Sequence, residues 1–401
     1  MLHAQIRPKA ELLNRFALSH LFLLGSLARM TAPISIARCP DYASAPESLE
    51  RVLRALGGIE RFVSRGQRVL IKPNLLSDHH PDEAVTTHPA LVRALVRAVR
   101  AAGACPFVAD SPASATRVEA VWEKTGYRQM CAEEQVELLN LEGAGSRLVR
   151  MDGFEFHIAT PVLDAEVIIN VPKVKTHVLT TLTAAVKNMY GTVPGYQKAM
   201  FHKTYPTPRS FGRLLAAIHR SLPPALSVAD AVVGMDGEGP ASGAPVRLGF
   251  VAASADAVAL DLGLCRLLGL DPSAVPYLHS GPAGKAVTGE LTFIGDTPAS
   301  LGPIRFRAPS TIRSQMIPGW LVRRLQPLIW IRPRITDRCV MCGRCVHACP
   351  VEALSQSKGQ PPVLTPARCI GCCCCHEICP EKAIEMRQSP LLNLVRRGKL
   401  L

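Results

Sequence analysis

The stretch Arg338–Leu354, R-C-V-M-C-G-R-C-V-H-A-C-P-V-E-A-L, recurs as R-C-I-G-C-C-C-C-H-E-I-C-P-E-K-A-I at Arg368–Ile384, thirty residues later. Each copy contains the spacing C-x2-C-x2-C-x3-C-P. Three thiolates two residues apart wrap a tight loop around one face of a 4Fe-4S cube, each reaching one iron, while the fourth points away. Structural zinc generally uses paired C-x2-C knuckles with longer spacers, and a disulfide framework needs an oxidising compartment. Two complete four-cysteine runs therefore read as two 4Fe-4S sites.

Over residues 333–388 the repeat resembles the bacterial two-cluster ferredoxin domain, with all eight ligand positions present. In that family the fourth cysteine of each run binds the other cluster. The resemblance thus implies Cys339, Cys342, Cys345 and Cys379 on one cluster, and Cys369, Cys372, Cys375 and Cys349 on the other. Two departures stand out. Cys373 occupies the position filled by Gly343 in the first copy, and Met341 occupies that of Gly371. Cys373 and Cys374 read first as bystander thiols, with alternative ligands or oxidation-prone sites as the other readings.

Working outward, the 401-residue chain is long enough for two or three domains. Its 48% hydrophobic and 19% charged residues exclude general disorder. Ten of the 14 cysteines lie in the repeat, and Cys39, Cys105, Cys131 and Cys265 read as incidental thiols. A formal charge of +14 points to acidic partners, but only 5% of residues are aromatic and none interleave with basic residues as a nucleic-acid stacking platform does. Nucleic acid is not an expected partner.

Five regions are expected: an extension over 1–30, an α/β domain over 31–300, a basic connector over 301–332, the ferredoxin domain over 333–388 and a basic tail over 389–401. Phe16–Ala28 is apolar like a signal-peptide core but too short to span a bilayer and broken by His20. A non-exported extension is expected there, with Met30 as an alternative start. The connector is rich in arginine and lacks acids. It reads as a linker packing between domains and balancing cluster charge, in preference to a peripheral membrane contact.

Within 31–300, short β-branched runs alternate with helical patterns, the mark of an α/β domain with a mainly parallel sheet and flanking helices. The spacing predicts strands at Gln67–Ile71, Pro106–Ala109, Val136–Leu139, Val167–Val171, Leu226–Val233 and Val246–Ala252. Helices are predicted over Pro89–Ala102, Arg117–Glu134, Thr180–Tyr190, Phe211–Arg220 and Asp256–Leu268, with a loop at Pro172–Val178.

Two constellations gather cationic and amide groups near strand ends, where open α/β sheets bind ligands. One is K-P-N (Lys72, Pro73, Asn74). The other runs from N-V-P-K-V-K-T-H (Asn170–His177) to K-N-M-Y-G (Lys187–Gly191). Lys72, Asn74, Lys173, Lys175, His177, Lys187 and Asn188 are the candidate residues for a small anion such as a carboxylate or phosphate. No acid, base or nucleophile is assigned. His79, His80 and His88 lack a metal spacing. Gly234–Gly243 precedes a strand, unlike a dinucleotide fingerprint, and reads as a loop presenting Asp236 and Glu238.

K-P-N, Asn170–His177, K-N-M-Y-G, D-G-E-G-P and A-D-A-V-A-L-D (Ala255–Asp261) together resemble the family catalogued as domain of unknown function 362, over about residues 33–300. The resemblance implies a cytoplasmic iron-sulfur protein and supplies no substrate. The expected function is a redox protein, of the oxidoreductase class if it is an enzyme. It would pass electrons between two 4Fe-4S clusters and a small anion in the α/β domain, in concert with a redox partner protein. The alternative is an electron carrier or redox-responsive adaptor that docks a partner without a substrate of its own.

Overall fold

The computed structural model describes residues 32–113, 117–279, 290–311, 328 and 330–390. The expected extension, most of the connector and most of the basic tail lie outside these residues.

Twelve strands belong to the first domain: β1 (Ile34–Arg38), β2 (Arg68–Pro73), β3 (Cys105–Asp110), β4 (Glu137–Asn140), β5 (Ser146–Met151), β6 (Phe154–Ala159), β7 (Val167–Val171), β8 (Lys173–His177), β9 (Thr181–Thr183), β10 (Leu226–Asp236), β11 (Ala244–Ser254) and β12 (Phe293–Gly295). The main sheet runs β12-β1-β11-β10-β7-β2-β3-β4, and β8 and β9 branch from β10. Pairings from β10 through β7, β2 and β3 to β4 are parallel, while β11 is antiparallel to both of its neighbours. The expected mainly parallel α/β architecture is what the chain forms.

Alternation along the strands divides the core in two. Leu70 packs into a cluster with Phe107, Phe211 and Leu260, while Val69 and Ile71 join Leu91, Leu95 and Val108 on the other face. A two-residue period sends successive side chains to opposite faces, so each central strand needs helices on both sides. Helices Pro89–Ala101 and Ala45–Ala55 cover one face, and Pro208–Ser221 and Ala257–Leu268 the other.

Three expected elements are corrected. The loop at Pro172–Val178 is strand β8 over most of its length, parallel to β10 with Lys173 opposite Asp230 and Lys175 opposite Met235. K-V-K-T-H alternates like a strand; its lysines suggest solvent, yet all five residues are buried. The predicted Thr180–Tyr190 helix begins as β9, hairpin-paired with β8, and only Ala185–Asn188 is α-helical before a 3-10 turn at Met189–Thr192. The β-branched Thr181 and Thr183 suit the pleat better than a helix. The Arg117–Glu134 helix is two, Val118–Lys124 and Tyr127–Glu133, separated at Gly126, whose φ is +75°. A left-handed residue cannot continue an α-helix.

The second module contains β13 (Ile331–Ile335), β14 (Leu354–Ser355), β15 (Val363–Leu364) and β16 (Ile384–Gln388), paired β13 with β16 and β14 with β15. Short helices Arg344–His347 and Cys374–Glu377 carry the middle of each cysteine run. The sequence repeat is also a backbone repeat. Met341 and Gly371 have φ of +57° and +67°, Gly343 and Cys373 +75° and +68°, Glu352 and Lys382 both +50°. Among the described residues, no helix is long and apolar enough to cross a membrane.

Candidate functional site

Strand ends of the α/β domain and one face of the cysteine module enclose a cavity of about 110 Å³. Its wall includes Lys72 and Asn74 after β2, Asp110 and Ser111 after β3, and Lys187, Asn188 and Gly191 of the short helix and the turn that follows it. Lys198 and His202 of helix Gln197–Thr204 complete the α/β side, and Ala348, Cys374, Glu377 and Ile378 close it from the cysteine module.

Hydrogen bonds fix the floor. Lys72 is fully buried, and its Nζ donates to Asp110 Oδ1 at 2.8 Å and to the Pro73 carbonyl at 3.0 Å. The other Asp110 oxygen accepts the Leu75 N–H at 2.7 Å, so each oxygen of this carboxylate has a protein donor. Gly191 passes so close that a Cβ there would lie 2.3 Å from Asp110 Oδ1 and 2.6 Å from Lys72 Nζ. Only glycine fits that approach. Three asparagines tie the strand ends together: Asn74 Nδ2 donates to Asn188 Oδ1 at 3.0 Å, Asn188 Nδ2 to Asn170 Oδ1 at 2.8 Å, and Asn170 Nδ2 to the Ala185 carbonyl at 2.9 Å.

The helix bearing Lys187 and Asn188 is anchored from beneath. Asp261, buried on helix Ala257–Leu268, accepts the N–H groups of Ala185 at 2.7 Å and Val186 at 2.9 Å. Burial pushes the Asp261 carboxyl up to about 7, opposed by these two donors.

The lysines play different roles. Lys173 is buried outside the cavity wall, where its Nζ donates to Asp230 Oδ2 at 2.8 Å and Tyr42 Oη at 2.7 Å. Lys175 supports the wall from behind, donating to Asn74 Oδ1 at 3.0 Å and the Val85 carbonyl at 2.5 Å. Lys198 Nζ donates to the Ser111 and Pro112 carbonyls at 2.7 and 2.6 Å, and burial lowers its pKa to about 8. Lys187 lines the cavity with no hydrogen-bond or ion-pair partner among the described residues. Burial pulls its ammonium below the ordinary lysine range, and Glu377 across the cavity opposes that pull.

His177 bridges the modules. Its Nδ1 accepts the Leu179 N–H at 3.0 Å, which places the proton on Nε2, 3.1 Å from Glu377 Oε1. Burial holds this imidazole down at about 3. Other contacts lock the same interface: Arg344 donates to both Asp78 oxygens at 2.6 and 3.2 Å, Lys382 pairs with Glu83 at 3.1 Å, and His376 Nε2 lies 3.0 Å from the Glu238 carbonyl. Asp236 and Glu238 do not project as a free loop. Arg307 donates to Asp236 at 2.7 Å and Ser310 N to Glu238 at 2.8 Å, so the start of the connector folds back over them.

Of the seven candidate residues, Lys72, Asn74, Lys187 and Asn188 meet at the cavity, Lys175 and His177 stand directly behind or beside it, and Lys173 belongs to a separate buried pair. Asp110, Lys198, His202 and Glu377 had no local motif to mark them. His202 is buried in the cavity wall with Nδ1 unpartnered, and burial lowers its pKa to about 4.

The cysteines sort into two groups around two further hollows. Cys339, Cys342, Cys345 and Cys379 line one, and Cys349, Cys369, Cys372 and Cys375 line the other, with Cys373 and Cys374 beside them. The fourth sulfur of each run accepts an equivalent N–H: Ala353 to Cys349 at 3.1 Å and Ala383 to Cys379 at 3.2 Å. Among the described residues, no three His, Cys, Asp or Glu side chains converge as on a single metal ion. Two thiol quartets spread around hollows, with N–H groups on sulfur, form a donor set suited to multi-iron clusters.

Comparisons with known proteins find a match in each module. Residues 69–266 match the family described as a domain of unknown function (DUF362), and residues 333–355 match a 4Fe-4S binding domain. The chain is 34% identical over 302 residues to the thylakoid-associated protein sll1697 of Synechocystis sp., covering 71% of this chain and 94% of that one. A likeness of TM-score 0.38 and 13% identity to the lactate racemase apoprotein of Thermoanaerobacterium thermosaccharolyticum covers 60% of this chain and 58% of that one.

Proposed function

Because this chain belongs to the DUF362 family and carries a 4Fe-4S binding domain, we propose that it is a redox protein holding two clusters and a small anionic substrate in the cavity between its modules. Cys339, Cys342, Cys345 and Cys379 would hold one cluster, and Cys349, Cys369, Cys372 and Cys375 the other. When bound, such clusters supply one-electron transfer.

The observation that carries the substrate reading is Lys187, a lysine without a partner among the described residues, lining a small cavity that closes against the cysteine module. Three lysines against Asp110 and Glu377 leave the wall one positive charge in excess. Lys72 and Lys198 are spent on protein acceptors, so Lys187 is the group available to a ligand. In a water-poor site its attraction for a carboxylate or oxyanion is stronger than on a surface. The asparagine chain keeps the helix carrying Lys187 in register with the strand ends, and His177 with Glu377 holds the cysteine module over the mouth.

Anaerobic purification followed by iron and sulfide analysis should return about eight of each for two cubanes. Mass spectrometry of the denatured protein should find a small anion that is absent from Lys187→Ala protein of equal iron content. An empty cavity in both proteins would remove the substrate reading.

A second reading rests on a different observation. Beside the first cysteine group, Val340 is 57% and Met341 44% exposed, and Cys342 is also exposed. Apolar exposure next to a redox group suits an external carrier protein, and an adaptor would need nothing more. A salt-resistant complex with a carrier protein, lost in Met341→Glu, together with an empty cavity, would favour it.

A further inference from the structure

The two cysteine groups stand differently toward the anion cavity. Cys374 lines the hollow ringed by Cys349, Cys369, Cys372 and Cys375, and it also lines the anion cavity. Among the described residues no other side chain borders both spaces, and none borders both the anion cavity and the hollow of the first group. Cys374 lies outside the C-x2-C-x2-C-x3-C ligand positions, so nothing in the cluster-binding pattern accounts for it.

The repeat sharpens this point. The equivalent residue of the first copy is Arg344, a cation spent on Asp78 of the α/β domain. In the second copy the same position carries a short neutral side chain, which leaves the wall between the two spaces one residue thick. Lys187 faces Cys374 electrostatically from the other side. His202, also in the cavity wall, is 6% exposed, and its Nδ1 meets no donor or acceptor among the described residues.

Resting on the reading that each thiol group holds a cluster, we infer that Cys374 is a positioning residue that couples the anion cavity to the second group alone. Charge in the cavity, from Lys187 or from a bound anion, acts across one side chain in a low-dielectric interior on whatever Cys349, Cys369, Cys372 and Cys375 hold. Toward the first group that short path is missing, and its exposed Cys342 adds solvent screening.

The test is a redox titration of the anaerobic, iron-loaded full chain followed by electron paramagnetic resonance. Cys342→Ser, or Cys339→Ser if that variant fails to fold, alters the signal of the first group and so marks it. Lys187→Gln should then lower the midpoint of the unmarked signal, because removing a positive charge disfavours the more negative reduced state. Cys374→Ala should shift that same signal, and Cys374→Ser should return it toward the wild-type midpoint, with the marked signal unmoved in all three. Equal movement of both signals, or movement of the marked one, overturns the inference. A single signal with half the iron overturns the two-cluster reading and the inference with it, and iron analysis alone recognises that outcome.

Discussion

The two copies of the cysteine run share a backbone and differ in what surrounds them. Their left-handed residues coincide pair by pair, and each fourth sulfur takes the same N–H. Yet Cys372 is buried where Cys342 is exposed, and Glu377 faces His177 and the cavity where its counterpart His347 lies in solvent. Ligand spacing fixes the local loop, and the residues between ligands decide how each copy docks, the first through Arg344 on Asp78 and the second through Glu377 beside His177. Docking is written in G-R-C-V-H against C-C-C-H-E, not in the cysteines that both copies share.

The largest effect expected from breaking this comparison concerns metal content. Cys345→Ala and Cys375→Ala should each remove about four of roughly eight irons, since one thiolate is lost from one cubane in either case. If the copies differ only in surroundings, the two losses will be equal. Near-complete loss from both variants would instead mean that the clusters assemble as a unit.

Acid should weaken the α/β domain next. Burial holds His219 at about 4 and His202 at about 4, against an ordinary value near 6.5. The folded state therefore binds fewer protons than the unfolded chain between these values, and stability falls as pH drops from about 6.5 to about 4. Fully expressed, a shift of that size corresponds to about 3 kcal/mol per histidine. Denaturation midpoints measured across this range should decline, and His219→Leu should flatten the decline by about one proton. An unchanged slope would show that His219 takes up its proton alike in the folded and the unfolded chain.

Removing the docking residue comes third. Glu377→Ala removes the carboxylate 3.1 Å from His177 Nε2 and the charge that opposes the burial of Lys187, a loss of about 2 kcal/mol by analogy with other buried polar partners. His347→Ala, at the equivalent exposed position, should stay within about 0.5 kcal/mol. Thermal midpoints of the two iron-loaded variants measure the difference, and equal shifts would mean that Glu377 contributes nothing to docking.

How far the sequence could be read follows the same division. The repeated cysteine spacing was legible because its information is local, while the exchange of fourth cysteines between runs is what the ferredoxin resemblance implies. The parallel sheet was legible wherever apolar residues alternate or run on, as in β2, β3 and β7. Strand β8 was not, because Lys173 and Lys175 read as solvated while each is buried against a partner from a distant element, Asp230 in one case and Asn74 in the other. Lys187 was gathered with them for its charge, but its lack of a partner emerges only after packing. Asp110, Lys198, His202 and Glu377 reach the cavity from three separate elements, and only the asymmetry of the repeat at His376–Glu377 offered a local hint for the last of them.

The smallest expected effect tests the backbone the copies share. Each run places glycine at one left-handed position and a side chain at the other: Gly343 with Met341 in the first, Gly371 with Cys373 in the second. A left-handed non-glycine residue costs about 1 kcal/mol, and replacing it by glycine frees the unfolded chain at a cost of about 0.5 kcal/mol. Met341 is largely exposed, so Met341→Gly should gain about 0.5 kcal/mol net. Cys373 is buried, and Cys373→Gly forfeits about 1 kcal/mol of packing besides, which turns its net effect to a loss of about 0.5 kcal/mol. Urea midpoints of the two anaerobic, iron-loaded variants should therefore move in opposite directions. Gly371→Ala supplies the converse: it adds left-handed strain and sets a Cβ 3.0 Å from the Ile331 carbonyl, so it should destabilise more than Cys373→Gly does. Movement of Met341→Gly and Cys373→Gly in the same direction would show that burial does not distinguish the copies at these positions, and that their shared backbone alone sets the cost.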